Sequence, residues 1–131
     1  MPRLPEPIPD ALRRLVAQRA GHRCEYCGIA QSDTLLGCEV DHIISRKHGG
    51  QTVMENLAFA CFYCNRHKGS DIASLSEDGR LTRLFNPRAD SWDEHFQCNE
   101  RRIEGKTPVG NVTVRLLQFN LPDRQLERSG L

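Results

Sequence analysis

Two Cys-x-x-Cys motifs are the most specific indication of a chemical site in this sequence. Cys24 and Cys27 form the first motif, and Cys61 and Cys64 form the second. A gap of two residues lets one tight turn direct both sulfur atoms at the same ion, and four thiolates make the closed coordination shell that is typical of structural zinc. We therefore predict a structural Zn²⁺ site at these four cysteines, with a role in folding and no open position for a substrate.

Asp41 and His42 lie between the two motifs, and Asn65 directly follows the last cysteine. Asp41 and Asn65 offer oxygen atoms, which Mg²⁺ and Mn²⁺ prefer, and two protein ligands leave room for water and a substrate phosphate. His42, with an ordinary pKa of about 6.5, can take a proton from an attacking water at physiological pH. Asn56 is the candidate to orient this imidazole through its side chain or its backbone. The sequence thus predicts a second, catalytic cation at Asp41 and Asn65.

Each of these polar residues has a more ordinary interpretation when it occurs alone. His42 is then a strand histidine, Asn56 a turn residue and Asn65 an amide on a helix surface. Their combination with two zinc motifs favours catalysis, because a module that only binds has no chemical need for the whole set. The alternative hypothesis is a zinc-stabilised module that binds nucleic acid or protein and hydrolyses nothing.

The motifs Cys-x-x-Cys, Asp-His-Ile, Asn-Leu and Cys-x-x-Cys-Asn-x-x-Lys-Gly follow one another across residues 24–69. In this order they resemble the HNH endonuclease family. The resemblance implies a ββα-metal (His-Me finger) fold and divalent-metal hydrolysis of phosphodiester bonds in nucleic acid. It places the metal-binding acid on Asp41, the general base on His42, the supporting asparagine on Asn56 and the second metal ligand on Asn65. Many members of the family carry histidine where this chain has Asn65.

Basic side chains flank both halves of the candidate site. Arginine offers bidentate donors to phosphate and lysine a point charge, so these residues are candidate phosphate contacts, with ordinary surface exposure as the alternative. His67 has two equally weighted interpretations, a phosphate contact or a residue that covers the helix surface. The set comprises Arg46, Lys47, Arg66, His67 and Lys68.

The apolar pattern predicts the elements that must position these side chains. Residues 1–9 carry four prolines and are expected to form an extended lead outside the core. Residues 10–23 are predicted to form an N-terminal helix that Asp10 caps and Gly21 stops. The apolar residues at helical spacing in this segment are Leu12, Leu15, Val16 and Ala20.

Two strands and a helix are predicted within the core segment, residues 24–70. One strand covers residues 35–44 and the other residues 57–60, with a long loop between them. A helix opens at the second cysteine motif, runs to Lys68 and ends at Gly69. The predicted fold class is α+β, a small ββα-metal core braced by the four-cysteine zinc site and flanked by N- and C-terminal helices.

Residues 71–131 are predicted to form a C-terminal extension that packs on the core and shapes a nucleic-acid groove. It should contain a short strand within residues 79–85, a helical turn at residues 92–96 and a hairpin over residues 97–104. A helix capped by Thr107 should follow to Gln118, and a short helix or frayed end from Pro122. This segment resembles the tail of small stand-alone bacterial HNH proteins.

Composition narrows the class of protein. A chain of 131 residues with 6% aromatic residues fits one domain, residues 1–131, whose modest core a structural metal would support. An apolar run of about eighteen residues and a signal-like segment are both absent from the sequence, so we expect a cytoplasmic protein with reduced thiols and no membrane partner. Cys38 and Cys98 are expected to be buried thiols outside the zinc site. DNA is the expected partner, with RNA as an alternative, for a monomer or a homodimer.

Overall fold

An antiparallel hairpin followed by a helix lies at the centre of the computed structural model, which describes residues 7–128. Strand β1 spans Cys38–His42 and strand β2 spans Leu57–Cys61, with Cys38 opposite Cys61 and His42 opposite Leu57. Helix α2 follows directly over Phe62–Lys68. This order of strand, long loop, strand and helix is the ββα arrangement predicted from the sequence.

Strand β1 is shorter than the predicted strand over residues 35–44. Gly37 has a φ of +78°, which is the left-handed region that interrupts an extended strand. Leu35 and Leu36, which precede this turn, are exposed. Strand β2, in contrast, is buried at every position, so its apolar run predicted the element closely.

Helix α2 begins and ends at the predicted residues. Cys61 occupies the N-cap position, and its sulfur accepts a hydrogen bond from the backbone nitrogen of Cys64 at 3.5 Å. At the other end, the Gly69 nitrogen donates to the Asn65 carbonyl, and the φ of +52° at Gly69 turns the chain out of the helix. The second cysteine motif thus supplies both the cap and the first turn of α2.

Helix α1 spans Asp10–Arg19 and packs on the hairpin. It ends before the predicted limit of residue 23, because Gly21 and His22 both adopt positive φ values. Pro9 holds the N-cap position, so Asp10 is the first helical residue and not the cap. Leu15 is 52% exposed, contrary to its predicted place in the core. The buried stripe of α1 is narrow, and Leu15 lies beyond its edge. The stripe comprises Leu12, Val16, Ala17 and Ala20.

Ile8 is buried, so the expectation that residues 1–9 lie outside the core is wrong at this position. It packs with Val16, Leu57 and Phe59, and its carbonyl accepts a hydrogen bond from Arg13 Nε at 3.0 Å. A single isoleucine between prolines has no apolar periodicity, which is why the sequence did not indicate its burial. Residues 1–6 of this predicted lead lie outside the described residues.

The C-terminal extension forms two further hairpins and three helices in the described part of the chain, up to residue 128. The strands are β3 (Ala73–Leu75) paired with β4 (Leu81–Arg83), and β5 (Phe96–Asn99) paired with β6 (Arg102–Gly105). The helices are α3 (Trp92–His95), α4 (Pro108–Leu116) and α5 (Pro122–Glu127).

Several local predictions in this extension are confirmed. The Thr107 hydroxyl accepts a hydrogen bond from the Gly110 nitrogen at 3.0 Å and caps α4, with Pro108 at its first position. The second hairpin turns at Glu100, whose φ is +58°. Helix α4 ends at Leu116, before the predicted Gln118, where φ is +51°. Strand β3 was not predicted, because its segment is largely polar.

The main core joins the extension to the first cysteine motif. Tyr26 is fully buried in one cluster with Phe85, Phe96 and Phe119 from the extension. Trp92 also donates a hydrogen bond from its indole nitrogen to the Tyr26 carbonyl at 2.8 Å. The extension therefore holds the first cysteine motif from the outside. None of the helices within residues 7–128 combines the length and the apolar character that a membrane crossing requires.

Candidate metal centre and catalytic site

The four cysteines of the two motifs converge on one point. Their sulfur atoms all lie within 4.8 Å of one another, and those of Cys27 and Cys61 are 3.7 Å apart. A tetrahedral zinc ion with bonds of about 2.3 Å separates its sulfur ligands by about 3.8 Å, so the spacing fits such an ion. All four side chains are buried. The cluster is positioned to bind a metal ion and is compatible with a closed structural zinc site.

The first motif is shaped by a short network of backbone bonds. The Cys24 nitrogen donates to the Ile29 carbonyl, and the Gly28 nitrogen donates to the Cys24 carbonyl, both at 2.9 Å. Gly28 has a φ of +83°, which lets the chain close this turn. The Cys27 nitrogen then lies 3.4 Å from the Cys24 sulfur. Two sulfurs separated by two residues thereby face the same point.

Burial and mutual hydrogen bonds shift the pKa values of these cysteines in different directions. Burial raises the pKa values of the Cys24 and Cys64 thiols well above their ordinary value, because burial penalises the charged form. Hydrogen bonds from neighbouring thiols, with Cys24 first, lower the pKa of Cys27. Four buried thiolates would repel one another without a bound cation.

Cys38 and Cys98 lie outside the four-sulfur cluster. Cys38 is half-buried, and burial raises the pKa of its thiol to about 12, which disfavours the thiolate that a metal requires. Cys98 is exposed, so the prediction that both are buried thiols is wrong for Cys98. It lies on the short, two-stranded β5–β6 hairpin, where its side chain faces solvent.

Asp41 lies on β1 and pairs with a buried lysine from α2. Lys68 Nζ is 3.0 Å from Asp41 Oδ2 and also donates to the carbonyls of His42 at 3.1 Å and Gly69 at 3.4 Å. Lys68 is only 2% exposed, so it is an internal counterion and not the surface phosphate contact that its basic charge suggested. Burial raises the pKa of Asp41, and the Lys68 charge opposes that shift. The ion pair keeps a buried carboxylate available in its charged form.

Asn65 faces the same side of β1 as Asp41. Its Nδ2 donates to Glu39 Oε2 at 3.2 Å. Glu39 and Asp41 are two residues apart on a strand, and Asn65 and Lys68 are three apart on a helix, so each pair shares one face. The two contacts, Asn65 with Glu39 and Lys68 with Asp41, run side by side across the interface of β1 and α2. Asp41 and Asn65 therefore lie on the strand and the helix that meet at this interface.

The donor atoms at this interface fit a hard cation. A carboxylate and an amide oxygen are ligand types that Mg²⁺ and Mn²⁺ prefer. Asp41 Oδ2 is buried, and its partner within residues 7–128 is the Lys68 ammonium at 3.0 Å.

His42 is the last residue of β1, and its ring contacts the loop between the strands. Its Nε2 is 2.8 Å from Thr52 Oγ1, and Arg46 Nη2 donates to the same oxygen at 3.2 Å. Burial, and then the positive charges of Arg46 and Lys68, lower the pKa of His42, so the ring is neutral at physiological pH. Lys68 acts electrostatically on both Asp41 and His42, which places both side chains near one ammonium group.

The sequence suggested that Asn56 orients the imidazole through its side chain or its backbone. Its side chain bonds to Ile44 and Gln51 instead, and its backbone carbonyl accepts from the nitrogen of Ile43, the residue after His42, at 2.9 Å. Its Oδ1 accepts from the Ile44 nitrogen at 3.0 Å, and its Nδ2 donates to the carbonyls of Ile44 and Gln51, both at 2.9 Å. The two bonds to Ile44 tie the loop to the segment just after β1, and the bond to Gln51 lies within the loop. A Cβ at Gly50 would lie 1.7 Å from the Ile44 carbonyl oxygen, so the loop packs too closely there for any side chain. Asn56 holds the loop that carries Thr52, and Thr52 contacts the ring.

The other candidate phosphate contacts differ in their surroundings. Lys47 and Arg66 are exposed, whereas Arg46 is half-buried beside Thr52. The ring of His67 stacks on Tyr63 with centroids 6.5 Å apart, and its Nδ1 is 3.3 Å from Gln118 Nε2. Of the two interpretations left open for His67, its contacts support packing against the C-terminal extension.

Residues 24–71 match the sequence model of the HNH endonuclease family. This segment is an HNH domain. Comparison of the chain with curated proteins and with solved structures gives no match. The domain contains all four clustered cysteines and the interface of β1 and α2 that carries Asp41 and Asn65.

Three contacts of the HNH domain were missed in the sequence. Glu39 precedes Asp41 by two residues, so strand alternation offered a signal that both share a face. Thr52 lies in a polar loop, and its contact with His42 has no local sequence signal. Arg124 donates to the sulfur of Cys64 from 60 residues away, which only the tertiary structure reveals.

Proposed function

We propose that this HNH domain is a metal-dependent endonuclease that hydrolyses phosphodiester bonds in DNA. The observation that supports the proposal is the pair of contacts across β1 and α2, Lys68 with Asp41 and Asn65 with Glu39, which join the strand that carries Asp41 to the helix that carries Asn65. A neutral histidine lies at the next position of the strand. A module that only binds would gain nothing from a buried, costly carboxylate at this place.

Asp41 and Asn65 would hold Mg²⁺ or Mn²⁺, and the four cysteines would hold a structural Zn²⁺. The divalent cation, when bound, supplies positive charge to the scissile phosphate and to the departing 3′ oxygen. Glu39 accepts from Nδ2 of Asn65, so the amide oxygen would be left to bind the cation. The Lys68 charge opposes the rise in the pKa of Asp41 that burial causes.

His42 would take the proton of the attacking water. If Nε2 donates to Thr52 Oγ1, then Nδ1 carries the lone pair that accepts this proton. Arg46 donates to the same threonine oxygen and fixes it from the other side. Lys47 and Arg66 are exposed and are the proposed phosphate contacts outside the reaction centre.

Cleavage of supercoiled plasmid in Mg²⁺ or Mn²⁺ tests this function. We expect the wild-type protein to cut, and His42→Ala to lose about two or more orders of magnitude in rate, as a lost general base predicts. His48→Ala is the matched control, because His48 is an exposed histidine in the same loop and has no proposed role. A parallel assay on labelled RNA decides between the two nucleic acids.

The result also separates the two classes of function. Equal cutting by His42→Ala and wild type would remove His42 from the mechanism. Binding of DNA without cutting, in both metals, would favour the zinc-stabilised binding module instead. That module would retain the four-cysteine site, which has the chemistry of a structural centre and needs no reaction to explain it.

A further inference from the structure

Helix α5 of the C-terminal extension brings two buried arginines to the sulfur cluster. Arg124 is 2% exposed and donates from Nη2 to the Cys64 sulfur at 2.9 Å, with the Cys61 sulfur 3.5 Å away. Arg128 follows four residues later and is also buried; it donates to the carbonyls of Arg101 and Phe119 and lines the same cavity as Cys24 and Cys27. Residues four apart share a helix face, so one side of α5 presents both charges to the cluster.

The Arg124 guanidinium joins three helices. Its Nη1 donates to the carbonyls of Leu117 at 2.6 Å and Gln118 at 3.0 Å, at the carboxyl end of α4 where a positive charge is favourable. Its Cζ lies 5.3 Å from the ring centroid of Tyr63, in α2, and 5.6 Å from that of Phe119. Hydrogen bonds, aromatic faces and sulfur atoms therefore surround this group.

Two buried positive charges need compensating negative charge. Moving a guanidinium out of water is costly unless it is paired and hydrogen-bonded. Four thiolates around one Zn²⁺ leave two negative charges in excess, which two guanidinium groups neutralise. Within residues 7–128, neither arginine forms an ion pair with a carboxylate. The cysteine thiolates are therefore the negative charges that can compensate the two arginines.

We propose that Arg124 and Arg128 are the countercharges of the four-cysteine metal centre, so that helix α5 completes the site as its outer shell. Helix α5 docks when the cysteines are thiolates around their ion, and in return it shields the sulfurs from water. Its hydrogen bonds to Cys61 and Cys64 occupy sulfur lone pairs that protons or a competing chelator would otherwise reach. The same contact braces the first turn of α2, which carries Asn65.

Zinc release to a coloured chelator tests this proposal in the full-length protein. We expect Arg124→Gln to release zinc about 10–100-fold faster than wild type, which is the usual effect of removing a partner of a metal ligand. Arg124→Lys keeps the charge but loses most of the hydrogen bonds, so its rate should lie between the two. Arg14→Gln is the control, since it removes the same charge from an exposed position on α1.

A folded Arg124→Gln protein with wild-type zinc release would overturn the proposal, as would equal acceleration by Arg14→Gln. If Arg124→Gln does not fold, Arg128→Gln provides a second variant that leaves the Arg124 bonds in place. It should also release zinc faster, and amide exchange over residues 117–128 should increase. Unchanged release and exchange in Arg128→Gln would refute the proposal. These measurements do not use nuclease activity, so they stand apart from the test of the proposed function.

Discussion

Replacing Lys68 with methionine removes the counterion of Asp41 and keeps a side chain of similar length. Lys68 is 2% exposed, and its ammonium contacts one carboxylate and two carbonyl oxygens. Methionine leaves Asp41 buried without its positive partner. Breaking a buried ion pair in this way costs about 3–5 kcal/mol of unfolding free energy. A domain of this size has about 5–15 kcal/mol in total, so the loss should be large.

Urea unfolding in zinc-containing buffer measures this loss. Lys68→Met should lower the unfolding free energy by about 3–5 kcal/mol, whereas Lys47→Met, at an exposed position, should stay within about 0.5 kcal/mol of wild type. The double variant Asp41→Asn with Lys68→Met removes both charges. It should recover at least about 1 kcal/mol relative to the sum of the single changes, because the partners are in direct contact.

The pH dependence of the deficit follows from the direction of the Asp41 pKa. Burial raises this pKa in the folded protein, so protonation favours the folded state, and that contribution is lost as the pH rises through the folded pKa. Without Lys68 the pKa rises further. The loss of unfolding free energy in Lys68→Met, relative to wild type, should therefore become smaller as the pH is lowered from about 8 to about 6. A loss below about 1 kcal/mol, or a double variant that is merely additive, would refute the role of Lys68 as an internal counterion.

Three further predictions concern the reaction centre. Burial and the positive charges of Arg46 and Lys68 lower the pKa of His42. Plasmid cutting should therefore rise with pH through a midpoint below about 6.5, and the ring should titrate at the same midpoint by NMR. A midpoint above about 7 would contradict a neutral base. Thr52→Val, which keeps the shape of the side chain, should reduce the rate about tenfold or more and shift this titration. Thr34→Val should do neither, because the Thr34 hydroxyl bonds to the backbone of Gln31 and Gly37. Glu39→Ala should weaken Mn²⁺ binding about tenfold or more in calorimetry, because the Asn65 amide loses its partner. Glu39→Gln should restore part of the affinity. Unchanged binding in Glu39→Ala would show that Glu39 does not orient the Asn65 amide.

Much of this architecture could be predicted from the spacing of residues that are close together in the sequence. The two Cys-x-x-Cys motifs predicted a four-sulfur cluster because a two-residue gap constrains both sulfurs of a motif within one turn. Gly69 as the end of α2 and Thr107 as the cap of α4 were likewise readable, since caps depend on residues a few positions apart. Asp41 and Asn65 were predicted as metal ligands by type and order; α2 formed over the predicted residues, and β1 formed within the longer predicted strand.

Partners of charged groups depended on packing between distant segments. The sequence marked Lys68 as one more basic residue near the site, whereas the close approach of α2 to β1 buries it against Asp41. The sequence suggested Asn56 as the partner of the imidazole and gave no indication of Thr52, whose hydroxyl contacts the ring, because the fold of the loop decides which side chain reaches it.

The sequence by itself determined the ligand types and the order of elements, since both follow from covalent spacing and local backbone preference. Only the tertiary structure decided which charges are buried and what neutralises them. Arg124 is 60 residues from Cys64 along the chain. Its buried charge is stabilised by the cysteine sulfurs because α5 packs against the sulfur cluster. Burial and electrostatic pairing are properties of the packed molecule, so they have no signature in any short stretch of residues.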